Sequence, residues 1–249
     1  MKKIVFCALV AVQANALSLS DAQIHAIGTM IWQNESNGTI DGLVFWNSNE
    51  AYPSLGIGHF IWFPEGYQGT MEQTFPELIR YIKQQGTRVP LWIEQAIARG
   101  CPWKNREEFL SAGQAERIHQ LKDFLAQTID LQARFIISRF EQSLIPIKNS
   151  SSTVNAHAER LLADPRGIVA MIDYLNFKGS GLVVTERYNG YGWGLVQVLE
   201  MMHQGTDPIA DFVASAQLVL KRRVDNSPNK AREQQWLPGW LNRVNRYAH

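Results

Sequence analysis

Beyond Pro64-Glu65-Gly66 the apolar residues recur at three- and four-residue spacing in block after block, so nearly everything after that point has to be helix. The spacing predicts helices near 71–85, 90–99, 106–126, 130–144, 154–163, 166–176, 193–204, 207–224 and 229–247. Strands are confined to the stretch before it. Gly42 to Trp46 and Ser54 to Trp62 are rich in β-branched and aromatic residues, and Asn47-Ser48-Asn49-Glu50-Ala51-Tyr52-Pro53 between them reads as a hairpin loop. Ahead of the hairpin, Ser20-Asp21-Ala22-Gln23 is a capping-box start. Ile24, Ile27 and Ile31 then keep helical register, with Met30 and Trp32 widening the apolar face. The expected class is α+β, mostly α, with a small N-terminal β-hairpin sheet and a helical bundle. Pro146 to Thr153, with three consecutive serines, is the candidate flexible connection, either dividing the helical part or lying as a surface loop within one domain.

The first sixteen residues follow different rules. Lys2 and Lys3 precede an apolar run from Ile4 to Val12 that ends in Ala14-Asn15-Ala16, the pattern of a secretory signal cut before Leu17. Domain reasoning therefore begins at residue 17 and takes 17–249 as one unit, periplasmic or secreted. Without the leader's two lysines, 22 basic residues face 23 acidic ones, a balance that predicts no nucleic-acid partner. No later run has the roughly 20 apolar residues that cross a bilayer. Cys101 is the only cysteine outside the leader, so stability must come from packing, for which a 45% hydrophobic share is ample.

Few residues in such a chain carry chemistry. Glu35 falls where the first helix breaks at Ser36-Asn37-Gly38, facing the hairpin, and Trp32 and Trp46 are close enough in sequence to desolvate it. A solvated helix-end glutamate is the ordinary alternative. Glycosidic cleavage needs a proton donor and usually a second carboxylate, for which Glu50 in the hairpin loop and Asp41 in the first turn are available. The six histidines have no metal-ligand spacing such as H-E-x-x-H, and no cofactor or metal is expected. Cys101-Pro102-Trp103 lacks a nucleophile signature and reads as a buried thiol. Among eight tryptophans, Trp46 and Trp62 flank the hairpin, and with Tyr52 they are candidate sugar-stacking residues; the rest read as core. The aromatic turn Tyr188-Asn189-Gly190-Tyr191-Gly192-Trp193 supplies Tyr191 as a candidate opposite wall, or is simply a helix-start loop. Lys221-Arg222-Arg223 near a helix end reads as a solvated basic face.

Glu35, the turn after it and Ser54-Leu55-Gly56-Ile57-Gly58-His59-Phe60 together resemble the active-site segment of the phage-type lysozymes. In that family a glutamate ends the first helix, and a small hairpin carries a T-x-G-x-G-H motif with an Asp and a Thr that hold the attacking water. Asn226-Ser227-Pro228-Asn229-Lys230-Ala231-Arg232 is similar to the N-x-T-P-N-R-A-x-R run of a closing helix, and Arg187-Tyr188-Asn189 before Gly192-Trp193 more loosely to an R-[FY]-N-x-G-x-W region. Residues 65–165 have no counterpart, and the family's Asp falls on Ser48.

The resemblance implies a lysozyme-like fold and a glycosidase acting on peptidoglycan or a related amino-sugar polymer. It assigns Glu35 as general acid, Ser54 in the Thr position as the water-positioning hydroxyl and His59 as a structural support of the hairpin. For the missing Asp, Glu50 two residues after Ser48 or Asp41 in the first turn can substitute, with Glu50 taken as base or charge stabiliser, while Gly56 and Gly58 permit close backbone approach or a bulge in the hairpin. A lytic transglycosylase or a chitosan- or chitin-cleaving enzyme is the alternative if no second carboxylate serves. Ser48 in the acid's position also leaves open a non-catalytic glycan-binding or scaffold protein.

Overall fold

Ser20 starts the first helix, α1 (Asp21–Ser36), in a computed structural model of the chain that describes residues 17–69 and 72–248. The expected leader, residues 1–16, lies outside the described residues. The capping box is formed: the Ser20 hydroxyl accepts from the Gln23 amide, and the Gln23 side chain accepts from the Ser20 amide at 2.8 Å. At the other end Asn37 turns left-handed, with φ 53°, and stops the helix one residue after Ser36, which leaves Glu35 in the last turn. Ile24, Ile27 and Ile31 are buried. At Gly28 an added Cβ would lie 2.8 Å from Ala133, so the missing side chain is what lets α6 (Ile129–Lys148) approach α1.

Three two-residue strands follow, β1 (Val44–Phe45), β2 (Ser54–Leu55) and β3 (Phe60–Ile61), in an antiparallel sheet of order β1-β2-β3. Val44 pairs with Leu55, and Ser54 with Ile61. The Ser54–Trp62 stretch, expected as one strand, is folded back on itself. Gly56 (φ 69°) and His59 (φ 51°) reverse the chain, and the His59 amide donates to the Gly56 carbonyl at 3.3 Å. Gln132 on α6 holds this turn from a fully buried position. Its Oε1 accepts from the Ile57 amide at 2.9 Å, and its Nε2 donates to the Leu125 carbonyl at 2.7 Å and to Thr128 Oγ1 at 3.1 Å. A methyl group at Gly56 would sit 2.3 Å from Gln132 Oε1. Gly56→Ala is therefore expected to cost about 2–4 kcal/mol in urea unfolding, from left-handed strain together with a displaced buried amide.

The middle of the chain, α2 (Phe75–Gln84), α3 (Leu91–Ala96), α4 (Arg106–Leu110) and α5 (Ala115–Gln127), packs around the hairpin. One helix over 106–126 is expected; Ser111, with ψ 146°, breaks it and a 3-10 turn at Ala112–Gln114 fills the gap. The Cys101 amide ties this region to the sheet by donating to the Phe63 carbonyl at 2.7 Å. Between them lies an aromatic cluster in which Trp62 meets Phe75 (4.8 Å between centroids) and Trp103 (6.3 Å), and Phe109 meets Trp46 (5.6 Å) and Trp103 (5.1 Å).

α6 continues through Pro146 to Lys148, so the expected flexible connection shrinks to Asn149-Ser150-Ser151, and Ser151 caps α7 (Ser152–Leu162). Then come α8 (Pro165–Lys178), a two-stranded hairpin of β4 (Arg187–Tyr188) and β5 (Tyr191–Gly192), α9 (Leu195–Met201), α10 (Pro208–Asn226) and α11 (Lys230–Asn245). The fold is thus mostly helical with two small antiparallel sheets. Among the described residues no helix is long and apolar enough to cross a membrane.

Candidate functional site

Glu35 is where α1 and α11 meet. Its Oε1 accepts from Arg243 Nη2 on α11 at 2.8 Å and from Asn176 Nδ2 on α8 at 3.3 Å, while its Oε2 lies 3.3 Å from His59 Nδ1 on the hairpin turn. The side chain keeps 14% of its surface exposed, so it is oriented by protein and still reachable. Arg243 is itself buried and spans two acids. Its Nε and Nη2 donate to the two oxygens of Asp173 at 2.8 Å each, a bidentate pair, and Asp173 is fully buried. The Tyr247 hydroxyl donates to Asp173 as well, and Asn34 Nδ2 donates to it at 3.3 Å. Burial works against the Arg243 charge, but Asp173, by hydrogen bond and by charge, and Glu35 outweigh it and raise the guanidinium's pKa above its ordinary range.

His59 therefore belongs to the site. It stands at the left-handed position of the hairpin turn and also contacts the Glu35 carboxylate. Glu50 sits in the loop before β2, where its carbonyl accepts from Trp46 Nε1 at 2.9 Å. Although the side chain has exposed surface, desolvation by the surrounding hairpin raises its pKa, with the His59 charge opposing the rise. His59 thus contacts Glu35 and lies within electrostatic reach of Glu50. Asp41 is turned elsewhere: Lys122 on α5 donates to it at 2.7 Å, and that bond lowers its pKa. Ser54 is partly buried at the centre of the sheet.

Two candidate stacking residues are corrected. Trp46 is 2% exposed and Trp62 is 0% exposed, so neither offers a ring face to a sugar; both are consumed by the aromatic cluster under the middle helices. Tyr52 is partly exposed, with its ring 5.1 Å from Phe63 and 5.9 Å from Tyr67, and its hydroxyl pKa is raised by burial and by the charge of Glu50 nearby. Tyr191 is half exposed and lines a separate cavity whose walls include none of Glu35, Glu50, Ser54 and His59. Cys101 is buried, and burial pushes its thiol up to about 12, which removes it as a nucleophile.

The two distant sequence echoes are neighbours in space. Asn189 Nδ2 donates to Asn226 Oδ1 at 3.1 Å, the Tyr188 hydroxyl donates to Glu233 at 3.0 Å, and Asn229 caps α11 by accepting from the Arg232 amide. Arg223, expected on a solvated face, instead forms a two-point pair with buried Glu233 at 3.0 and 3.1 Å. It also faces the rings of Trp193 (4.2 Å) and Trp240 (5.1 Å).

Between this pair and Arg243 lies Lys178. Its ammonium is 3.4 Å from the Trp240 ring centre and 4.0 Å from that of Phe177, and among the described residues it has no carboxylate within ion-pair distance. Burial, then the charges of Arg223 and Arg243, push its pKa well down, while Glu233 and Glu35 pull the other way. Sequence reading missed Asp173, Asn176, Lys178 and Arg243. One signal was available, an aspartate set between Ile172 and Tyr174 on an otherwise apolar helix face. Among the described residues no group of three or more His, Cys, Asp or Glu side chains is arranged to hold a metal.

The chain matches no protein-family model, no curated protein and no solved structure.

Proposed function

We propose that the protein is an exported glycoside hydrolase of lysozyme-like fold that cleaves the glycan strand of peptidoglycan or a related amino-sugar polymer. One observation carries the reading: Glu35 ends a helix, is oriented by Arg243 and Asn176, remains reachable, and contacts His59 of the hairpin, whose charge also acts on a second carboxyl, Glu50. In the proposed reaction Glu35 protonates the glycosidic oxygen as positive charge develops on the sugar ring, and Glu50 stabilises that charge or deprotonates a water held with help from Ser54. His59, between them, adjusts the balance of charge.

A second assignment of roles rests on Glu50. Its raised pKa suits a group that keeps a proton to donate, and the two carboxyls then exchange tasks. The pH profile separates the two. Because the shift is upward, the limb due to Glu50 lies above the ordinary glutamate value of about 4.3. Glu50→Gln is expected to lower turnover by about 10²–10³ and to flatten that limb. Loss of the acidic limb identifies Glu50 as the base, and loss of the alkaline limb identifies it as the proton donor.

The reading is tested by incubating residues 17–249 with peptidoglycan sacculi and, separately, with chitosan, and weighing the soluble products by mass spectrometry. Fragments with free reducing ends are expected. Anhydro ends would make the enzyme a lytic transglycosylase, and polymer binding without fragment release would make the protein a glycan-binding module.

A further inference from the structure

The cavity that Tyr191 lines holds about 280 Å³ and is walled by the β4–β5 hairpin, the loop before it, α9 and α10. Arg187, Arg222 and Glu200 all line it. Among the described residues the Arg187 side chain makes one hydrogen bond, to the Gly190 carbonyl at 3.4 Å, and the Arg222 side chain makes one, to the Gly192 carbonyl at 3.5 Å. Among the described residues none of the three has an opposite charge within 4.0 Å, and the Nε of Arg222 is buried without a partner. Two guanidiniums and a carboxylate thus share a cavity without touching one another; Arg187 and Glu200 reach solvent, and the partly buried Arg222 carries the group that lacks a partner.

The walls are fixed in place. The Gln197 side chain donates to the Gly181 carbonyl at 3.1 Å and accepts from the Gly194 amide at 3.0 Å, and a methyl group at Gly181 would meet Gln197 Oε1 at 2.1 Å. The Asn189-Gly190 turn, both residues left-handed, sets the hairpin, and the Arg222 guanidinium lies 4.9 Å from the Tyr191 ring centre. Leu182 and Val196 add apolar surface.

We propose that this cavity binds a free amino acid as its zwitterion. The ligand's carboxylate engages Arg187 and Arg222, its ammonium engages Glu200, and its side chain lies against Leu182, Val196 and the face of Tyr191. Charge selects this class. A phosphate or other dianion meets the carboxylate of Glu200, and a simple carboxylate leaves Glu200 unpaired, whereas a zwitterion satisfies all three groups. The volume suits one residue with its side chain. The inference stands apart from the glycosidase reading, since the cavity shares no wall residue with the Glu35 site.

Calorimetric titration tests it, with leucine, N-acetyl-leucine and leucinamide as probes on the wild-type protein. Leucine is expected to bind at least tenfold more tightly than either blocked form. Arg222→Gln is expected to weaken leucine and N-acetyl-leucine alike by tenfold or more. Glu200→Gln is expected to weaken leucine alone and to bring it level with N-acetyl-leucine. No binding of leucine, equal binding of all three probes, or indifference to Arg222→Gln would overturn the proposal.

Discussion

Glu35→Gln is expected to lower glycan cleavage by about 10³ or more while leaving a folded protein that still binds the polymer. Glutamine keeps the oxygen that accepts from Arg243 and Asn176, so the side chain's position is retained and the transferable proton is what disappears. Arg243 meanwhile keeps its bidentate partner Asp173, so no buried charge is left alone. Initial rates of fragment release, measured beside a thermal melt of each protein, distinguish chemistry from folding. A variant that retains a tenth or more of the wild-type rate would remove Glu35 from the mechanism.

Arg243→Met is expected to have the largest effect on stability, a loss of about 3–5 kcal/mol. Methionine fills much of the volume but strips the counter-charge from Asp173, which is 0% exposed, and from Glu35 at 14%. The pair is worth little compared with what breaking it costs, because two desolvated carboxylates remain. Urea unfolding near neutral pH reads the loss, and the double variant Arg243→Met with Asp173→Asn should recover most of it. A single variant as stable as the wild type would mean that Asp173 reaches water. Lysine is a poor rescue, since one ammonium cannot replace the planar fork that holds two acids.

The parts of the site visible in the sequence are the ones set by local rules. Glu35 was legible because a capped helix and an Asn37-Gly38 stop fix the last turn within a residue. The hairpin was legible because β-branched and aromatic residues flank a polar loop, and Gly56 and Gly58 marked a backbone constraint that turned out to be the tight turn and its contact with Gln132. Arg243 and Asp173 left no such trace. Their pairing joins α11 to α8 and α1 across separations of 70 and 208 residues, and no periodicity reports which charged residue of a late helix points inward. Trp46 and Trp62 were misread for a related reason. An aromatic beside a cleft and an aromatic beneath one have the same sequence neighbourhood, and it is the α2–α5 segment, with no counterpart in the resemblance, that covers both. The break of the expected 106–126 helix at Ser111 and the continuation of α6 through Pro146 show the same limit: tertiary packing overrides local propensity.

The contact between Glu35 and Arg243 also bears on the order in which the molecule becomes competent. It closes a loop of 208 residues, for which the entropy cost is about 2 kcal/mol more than for a loop of roughly 20 residues. The hairpin turn and the helical pairs form through nearer contacts and are free to assemble first, whereas the carboxylate waits for α11 to dock. During synthesis α11 is made after α1, the hairpin and α8, so the acid stays unoriented until that helix emerges and docks. Competence then arrives as one late step, and refolding followed by recovery of cleavage should lag refolding followed by helix content.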